Sequence, residues 1–155
     1  MELIELIRCF FAENDMGETA GTTNTPQDIA EIEQTLNLRL NPLYQALISE
    51  FGSCYLGLEF YDRRNPDGGL IPQSQWFRQA AQDAGLTDYE HFLAIADNGS
   101  GDKILLGVDS NELFLFAHDS GEILPLAQEY GGAGTLDGII REDIEEEDRD
   151  DEEDE

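Results

Sequence analysis

The stretch from Phe92 to Ala127 limits the folds open to this chain more than any other part of it. It holds three apolar runs, Phe92–Ala96, Lys103–Val108 and Leu113–Ala117, and a fourth, "EILPLA", separated by "DNGSGD", "DSNE" and "HDSG". Runs this short, joined by intervals of Asn, Asp, Ser and Gly, read as consecutive antiparallel hairpins. The pattern therefore predicts a meander of three or four strands. A chain of 155 residues that is 40% hydrophobic is the size of one domain with one core.

Helical spacing dominates the rest. Leu3, Leu6, Ile7, Phe10 and Phe11 fall on one side of a helix over residues 2–13. After the polar connector "NDMGETAGTTN", Thr25 is placed to cap a second helix, with Pro26 at its first position, Asp28 in its first turn, and Ile29, Ile32 and Leu36 on its buried face. "LRL" is an extended connector. Asn41 and Pro42 then repeat the device, with Leu43, Leu47, Ile48 and Phe51 facing inward and Gly52 as a left-handed stop. "CYLGLEFYD" reads as a strand, "RRNPDGG" as a turn, and "SQWFRQAAQDAG" as a helix ending at Gly85, with Trp76 and Phe77 packed in the core. A glycine-rich hinge and a closing helix bearing Leu136, Ile139, Ile140 and Ile144 complete the pattern.

Charge separates the functions this chain can have from those it cannot. Acids outnumber bases 35 to 8, a formal net of −27. Setting aside residues 141–155, which hold 12 acids and 2 arginines, leaves 23 acids against 6 bases, or −17, so the body is acidic in its own right. Such a field repels nucleic-acid phosphates and anionic membrane surfaces and attracts basic proteins at long range. The last eight residues, 148–155, have no apolar side chain and are expected to form a disordered acidic tail beyond a folded domain of residues 1–147. No apolar run is long enough to cross a bilayer, and the acids within "MELIELIRCFFAEN" do not suit a signal peptide; the expected location is cytoplasmic. Cys9 and Cys54, far apart and without CxxC spacing, are expected to be buried free thiols.

The loop "DNGSGD" fits no catalytic or ligand template. Ile104 stands where a dinucleotide fingerprint wants glycine, Asp102 precedes Lys103 where a phosphate loop wants glycine before its lysine, and the alternating oxygen ligands of a calcium loop are missing. Ser100 has no nucleophile-elbow context. The glycines serve a turn. His91 and His118 have no ligand-spaced neighbour and no orienting partner visible in sequence, and read as surface or strand-end residues. No catalytic residue, metal site or cofactor is expected.

Three stretches together resemble the Smi1/Knr4 (SUKH) superfamily. In "DIAEIEQTLNLRLNPLYQALISEFGS" the matching positions are Glu33, Leu38, Leu40, Tyr44, Leu47 and Gly52; in "FLAIADNGSGDKILLGVDSNELFLFAHDSGE" they are Gly101, Asp102 and His118; "TLDGIIREDIEE" is similar to the closing helix. The resemblance spans residues 25–147, so the first helix is an extra element. It departs from the pattern in that Asn41-Pro42 shifts the proline by one and Ser53 replaces a second glycine. It implies an α+β domain with a central antiparallel sheet flanked by helices, no catalytic apparatus, and a face that binds protein. It further implies a bacterial immunity protein that neutralises a cognate toxin, here a basic nuclease domain, or alternatively a regulatory adaptor. With the acidic body, this gives Asp97, Asp102, Asp109, Glu112 and Asp119 as candidate partner-binding residues. Alternate turns of a meander lie at opposite ends, so Asp97, Asp102 and Asp119 should share one end and Asp109 and Glu112 the other.

Overall fold

A computed structural model describes residues 2–13, 24–52, 69–97, 101–127 and 134–153, with side chains described as far as residue 146. The expectations for residues 14–23 of the polar connector, "CYLGLEFYD" with Cys54, "RRNPDG", residues 98–100 and the hinge residues 131–133 lie outside these residues. The chain is an α+β domain. Its elements are α1 Leu3–Glu13, α2 Pro26–Leu36, α3 Pro42–Glu50, α4 Leu70–Asp83, a 3-10 turn Tyr89–His91, β1 Phe92–Asp97, β2 Lys103–Gly107, β3 Leu113–Ala117, β4 Glu122–Pro125 and α5 Leu136–Glu153. The strands form one antiparallel meander in the order β1-β2-β3-β4.

Both faces of the sheet are buried. Leu93, Ile104, Leu106, Leu113 and Leu115 point into the larger apolar cluster, built from α1, α2, α3, α5 and Leu70. Ala94, Leu105 and Phe116 point the other way, against Phe77 and Ala81 of α4. The alternation breaks once, at a bulge in β1, where Ala94 pairs with Leu105 but Ala96 pairs with Ile104. Ile95 and Ala96 consequently both join the larger cluster, and Asp97 comes into register with Lys103, on the α4 face. Without that extra residue the period of two would turn Asp97 toward the opposite face.

Asn41 ties the helical layer to the sheet. Its Oδ1 accepts the Tyr44 amide and caps α3, while its Nδ2 donates toward Gly107 O, Ser110 O and Asn111 Oδ1 at 3.2, 2.9 and 3.2 Å. At 2% exposure, these bonds satisfy a buried amide and at the same time pin the turn between β2 and β3. The start of α5 is fastened to the same turn: Leu113 N donates to Gly134 O and Leu136 N to Asn111 O, each at 2.8 Å. On α2, Thr25 and Asp28 form a reciprocal capping box. Gly52 has φ 68°, the left-handed value expected beyond α3. Helix α1 belongs to the main core through Leu3, Ile7, Phe10 and Phe11, the last edge-on to Phe51 at 5.2 Å. Arg8 of α1 also pairs with Glu50 of α3.

Three expectations need correcting. Helix α4 begins at Leu70, not at Ser74. Pro72 falls in its first turn, where a missing N–H removes no intrahelical bond. Cys9 is exposed, because it shares the outward face of α1 with Glu5, four residues before it. Phe77 is fully buried but Trp76 is 46% exposed, since one helical step carries it off the stripe of Leu70, Ser74, Phe77 and Ala81. The backbone of α5 is helical through Glu153. Leu136, Ile140 and Ile144 seat the first turns in the core, and later turns then need only propagation, which glutamate supports.

Replacing Asn41 with Ala removes a cap and strands the carbonyls it serves, and should lower unfolding free energy by about 1–3 kcal/mol in a denaturant titration. An unchanged midpoint would mean that the clamp is dispensable. Deleting residues 148–155 should leave a single cooperative transition with its midpoint shifted by no more than a few degrees, as no apolar side chain is lost; a broad transition would show that the last turns of α5 hold the core.

Candidate functional site

The candidate carboxylates occupy the two ends of the sheet. Asp97 closes β1, Asp102 precedes β2 and Asp119 lies in the turn between β3 and β4, all at one end; Asp109 and Glu112 flank the turn between β2 and β3 at the other. At this second end Asp109 helps line an open groove of about 560 Å³, together with Arg39, Leu40, Pro42, Leu43 and Val108. Glu112 forms an isolated bridge with Thr135. The groove borders the clamp made by Asn41, so its walls are fixed.

At the first end two of the carboxylates meet the imidazole of His118. Asp102 Oδ1 accepts a hydrogen bond from the His118 backbone amide at 3.0 Å and contacts His118 Nδ1, while Asp119 Oδ1 lies 3.1 Å from His118 Nε2. The two ring nitrogens thus each face a carboxylate, the arrangement that favours the doubly protonated ring. The Asp102 hydrogen bond, assisted by the charges of Asp119 and Asp102, raises the His118 pKa above its ordinary 6.5, against a smaller opposing effect of desolvation. Gly101 permits the contact. It has φ +95°, and a Cβ there would stand 3.1 Å from the imidazole.

Lys103 and Asp97 are cross-strand partners in the adjoining position. The Lys103 ammonium donates to Gln73 Oε1 at 2.6 Å and stands 5.1 Å from the centre of the Trp76 ring. Burial lowers its pKa and the charge of Asp97 works against that shift. Lys103 and the His118 ring thus stand among the three carboxylates, and the ring adds a second positive charge when it is protonated. Asp119, with 92% of its side chain exposed, is the carboxylate best presented to solvent. On the far part of α4, Arg78 carries two buried guanidinium nitrogens without hydrogen-bond partners, and its pKa is lowered by desolvation despite the opposing charge of Glu90.

The link between residues 102 and 118 has a signal in sequence only once register is drawn. Lys103 opposite Phe116 carries the pairing outward to bring Gly101 and Asp102 beside His118. Run lengths alone do not fix that register. As chemistry, the arrangement offers a carboxylate–imidazole hydrogen bond. Among the described residues, no three His, Cys, Asp or Glu side chains gather as a metal ion would need, and no helix is long and apolar enough to cross a membrane.

The His118 ring should titrate above 6.5 by NMR, and Asp102→Asn or Gly101→Ala should lower its midpoint. Because the folded-state pKa is raised, the associated stability is complete below the ordinary histidine value and is lost as pH climbs through the raised one. A His118 midpoint at or below 6.5 would contradict the pairing.

No curated protein sequence matches the chain. A family model does, over residues 23–131, which takes in α2, α3, α4 and all four strands while leaving α1 and α5 outside. With the resemblance in its motifs and the helix-covered meander now both in view, the chain belongs to the SMI1 / KNR4 family (SUKH-1).

Proposed function

We propose that this protein is an immunity protein, which binds a basic bacterial toxin domain, of nuclease type, and neutralises it by occupying its positive surface. The observation that supports this most is the imbalance of usable charge. Of the few bases, Arg8 is paired with Glu50, Lys103 is half-buried against Gln73 and Trp76, and Arg78 is half-buried. Outside residues 141–155, 23 acids remain, among them Asp109, Glu112 and Asp119 on exposed turns. A nuclease must be positive where it holds phosphate, so a surface of this kind competes for the same region and speeds encounter at low salt. Membership of the SUKH-1 family agrees with a protein that acts by binding. A regulatory adaptor is the second reading, favoured by the acidic α5, whose backbone is helical through Glu153.

Co-expression with the product of a neighbouring toxin gene tests the proposal: the chain should restore growth and co-purify with the toxin. Asp97→Lys and Asp119→Lys together should slow association several-fold and flatten its dependence on ionic strength, with less effect from Asp109→Lys. Deleting residues 148–155 should preserve protection; abolition of binding by that deletion would favour the adaptor. Tight, salt-insensitive binding to an acidic partner would remove electrostatic capture altogether.

A further inference from the structure

Trp76 is the chain's one tryptophan, and it is exposed while its neighbour Phe77 is fully buried. The ring is held in place. It sits edge-on to Phe116 with centroids 6.4 Å apart, and the Lys103 ammonium lies 5.1 Å from its centre. Lys103 and Phe116 are cross-strand partners, and Asp97 continues the same row on β1. A large ring already fixed by its neighbours loses little freedom on docking and has much apolar area still to bury, which is why tryptophan is enriched among the residues that dominate interfaces.

The charge around this ring specifies its occupant. Asp97, Asp102 and Asp119 lie at this end of the sheet, and Glu122 opens β4 beside them. A Cβ on Gly121 would meet Ala84 at 2.7 Å, which brings the end of α4, with Asp83, to the same rim. Asp83 also falls seven residues after Trp76, on the same outward strip of the helix. Against these five carboxylates stand Lys103 and His118, both already engaged with Gln73, Asp102 and Asp119. An apolar or acidic partner would bury carboxylates without compensation.

We infer that Trp76 anchors the partner interface and receives an arginine from a basic protein face, the guanidinium lying on the exposed part of the indole with its N–H groups directed to Asp97 and Asp119. The inference rests on the proposed capture of a basic partner and gives that capture a place. Arginine suits the site better than lysine because its planar, weakly hydrated head stacks on a ring and donates to carboxylates at once. The groove beside Asp109 lies at the opposite end of the sheet and serves as an internal control.

Since the chain has a single indole, its fluorescence reports on this site alone. An acetylated, amidated octapeptide alternating arginine and alanine should produce a saturable change in emission, and the lysine counterpart should bind several-fold more weakly. By calorimetry, Trp76→Ala should weaken the arginine peptide by roughly tenfold or more, Trp76→Phe by less, and Asp119→Asn by a few fold, while Asp109→Asn leaves it unchanged. Trp76→Ala should retain cooperative unfolding, as the ring is only partly buried. Emission indifferent to the peptide, equal affinity for the lysine peptide, or calorimetric affinity unchanged in Trp76→Ala would each overturn the inference. A basic toxin recovered by co-expression that binds Trp76→Ala as tightly as the parent chain would remove the anchor and leave the proposed function standing. Arginine-peptide binding through Trp76 without any basic toxin partner would do the reverse.

Discussion

Burial of the sheet on both faces is the constraint from which the remaining architecture follows. Leu105 faces Phe77 and Ala81, while Ile104 and Leu106 on either side of it face the layer built by α1, α2, α3 and α5. A strand with apolar side chains on both sides must be covered twice, because leaving either face in water would forfeit roughly 1.5–3 kcal/mol for each large side chain exposed. One helix, α4, covers one face, and the other helices share the second. With the faces closed, the ends of the strands are where charged side chains can reach solvent.

The two ends differ in how they are built. At the turn between β2 and β3, Asn41 and the start of α5 satisfy backbone groups from several directions, leaving Asp109 above a groove with fixed walls. At the other end, side chains make the connections: Asp102 with His118, His118 with Asp119, and Lys103 with Gln73 and Trp76. Of these, the exposed contacts of His118 with Asp102 and Asp119 contribute little to stability, and water and salt can replace them. They are correspondingly available to a partner. This contrast gives physical grounds for placing recognition at the end that carries the tryptophan, with acidic charge over the wider surface speeding encounter.

Much of the secondary structure was legible because it rests on local chemistry. Thr25-Pro26 and Asn41-Pro42 announce their helices by satisfying the first free amides, and Gly52 stops α3 because it adopts positive φ without strain. The meander was legible because its turns are short and its strands consecutive. Less was visible where one residue of register or one helical step changes the outcome. The bulge between Ala94 and Ala96 has no signature in "FLAIAD", yet it decides which face Asp97 joins. Likewise, Trp76 and Phe77 differ by a single step around α4, and no pattern of neighbours in sequence told which of them would be buried.

Legible in the amino-acid order alone were an acidic α+β chain, a meander of three or four strands, capped helices and carboxylates at successive turns, since capping, hairpin formation and net charge depend on residues near one another or on composition. Which of those carboxylates have a basic side chain beside them depends on how the chain packs. Asp102 and His118 are 16 residues apart, and Lys103 meets Gln73 across 30. Such pairs exist only once the register of the sheet and the crossing of α4 are fixed, because the energy of an ion pair or a ring contact depends on separation in space. The exposure of Trp76 was decided in the same way, by which side of α4 the sheet happened to cover.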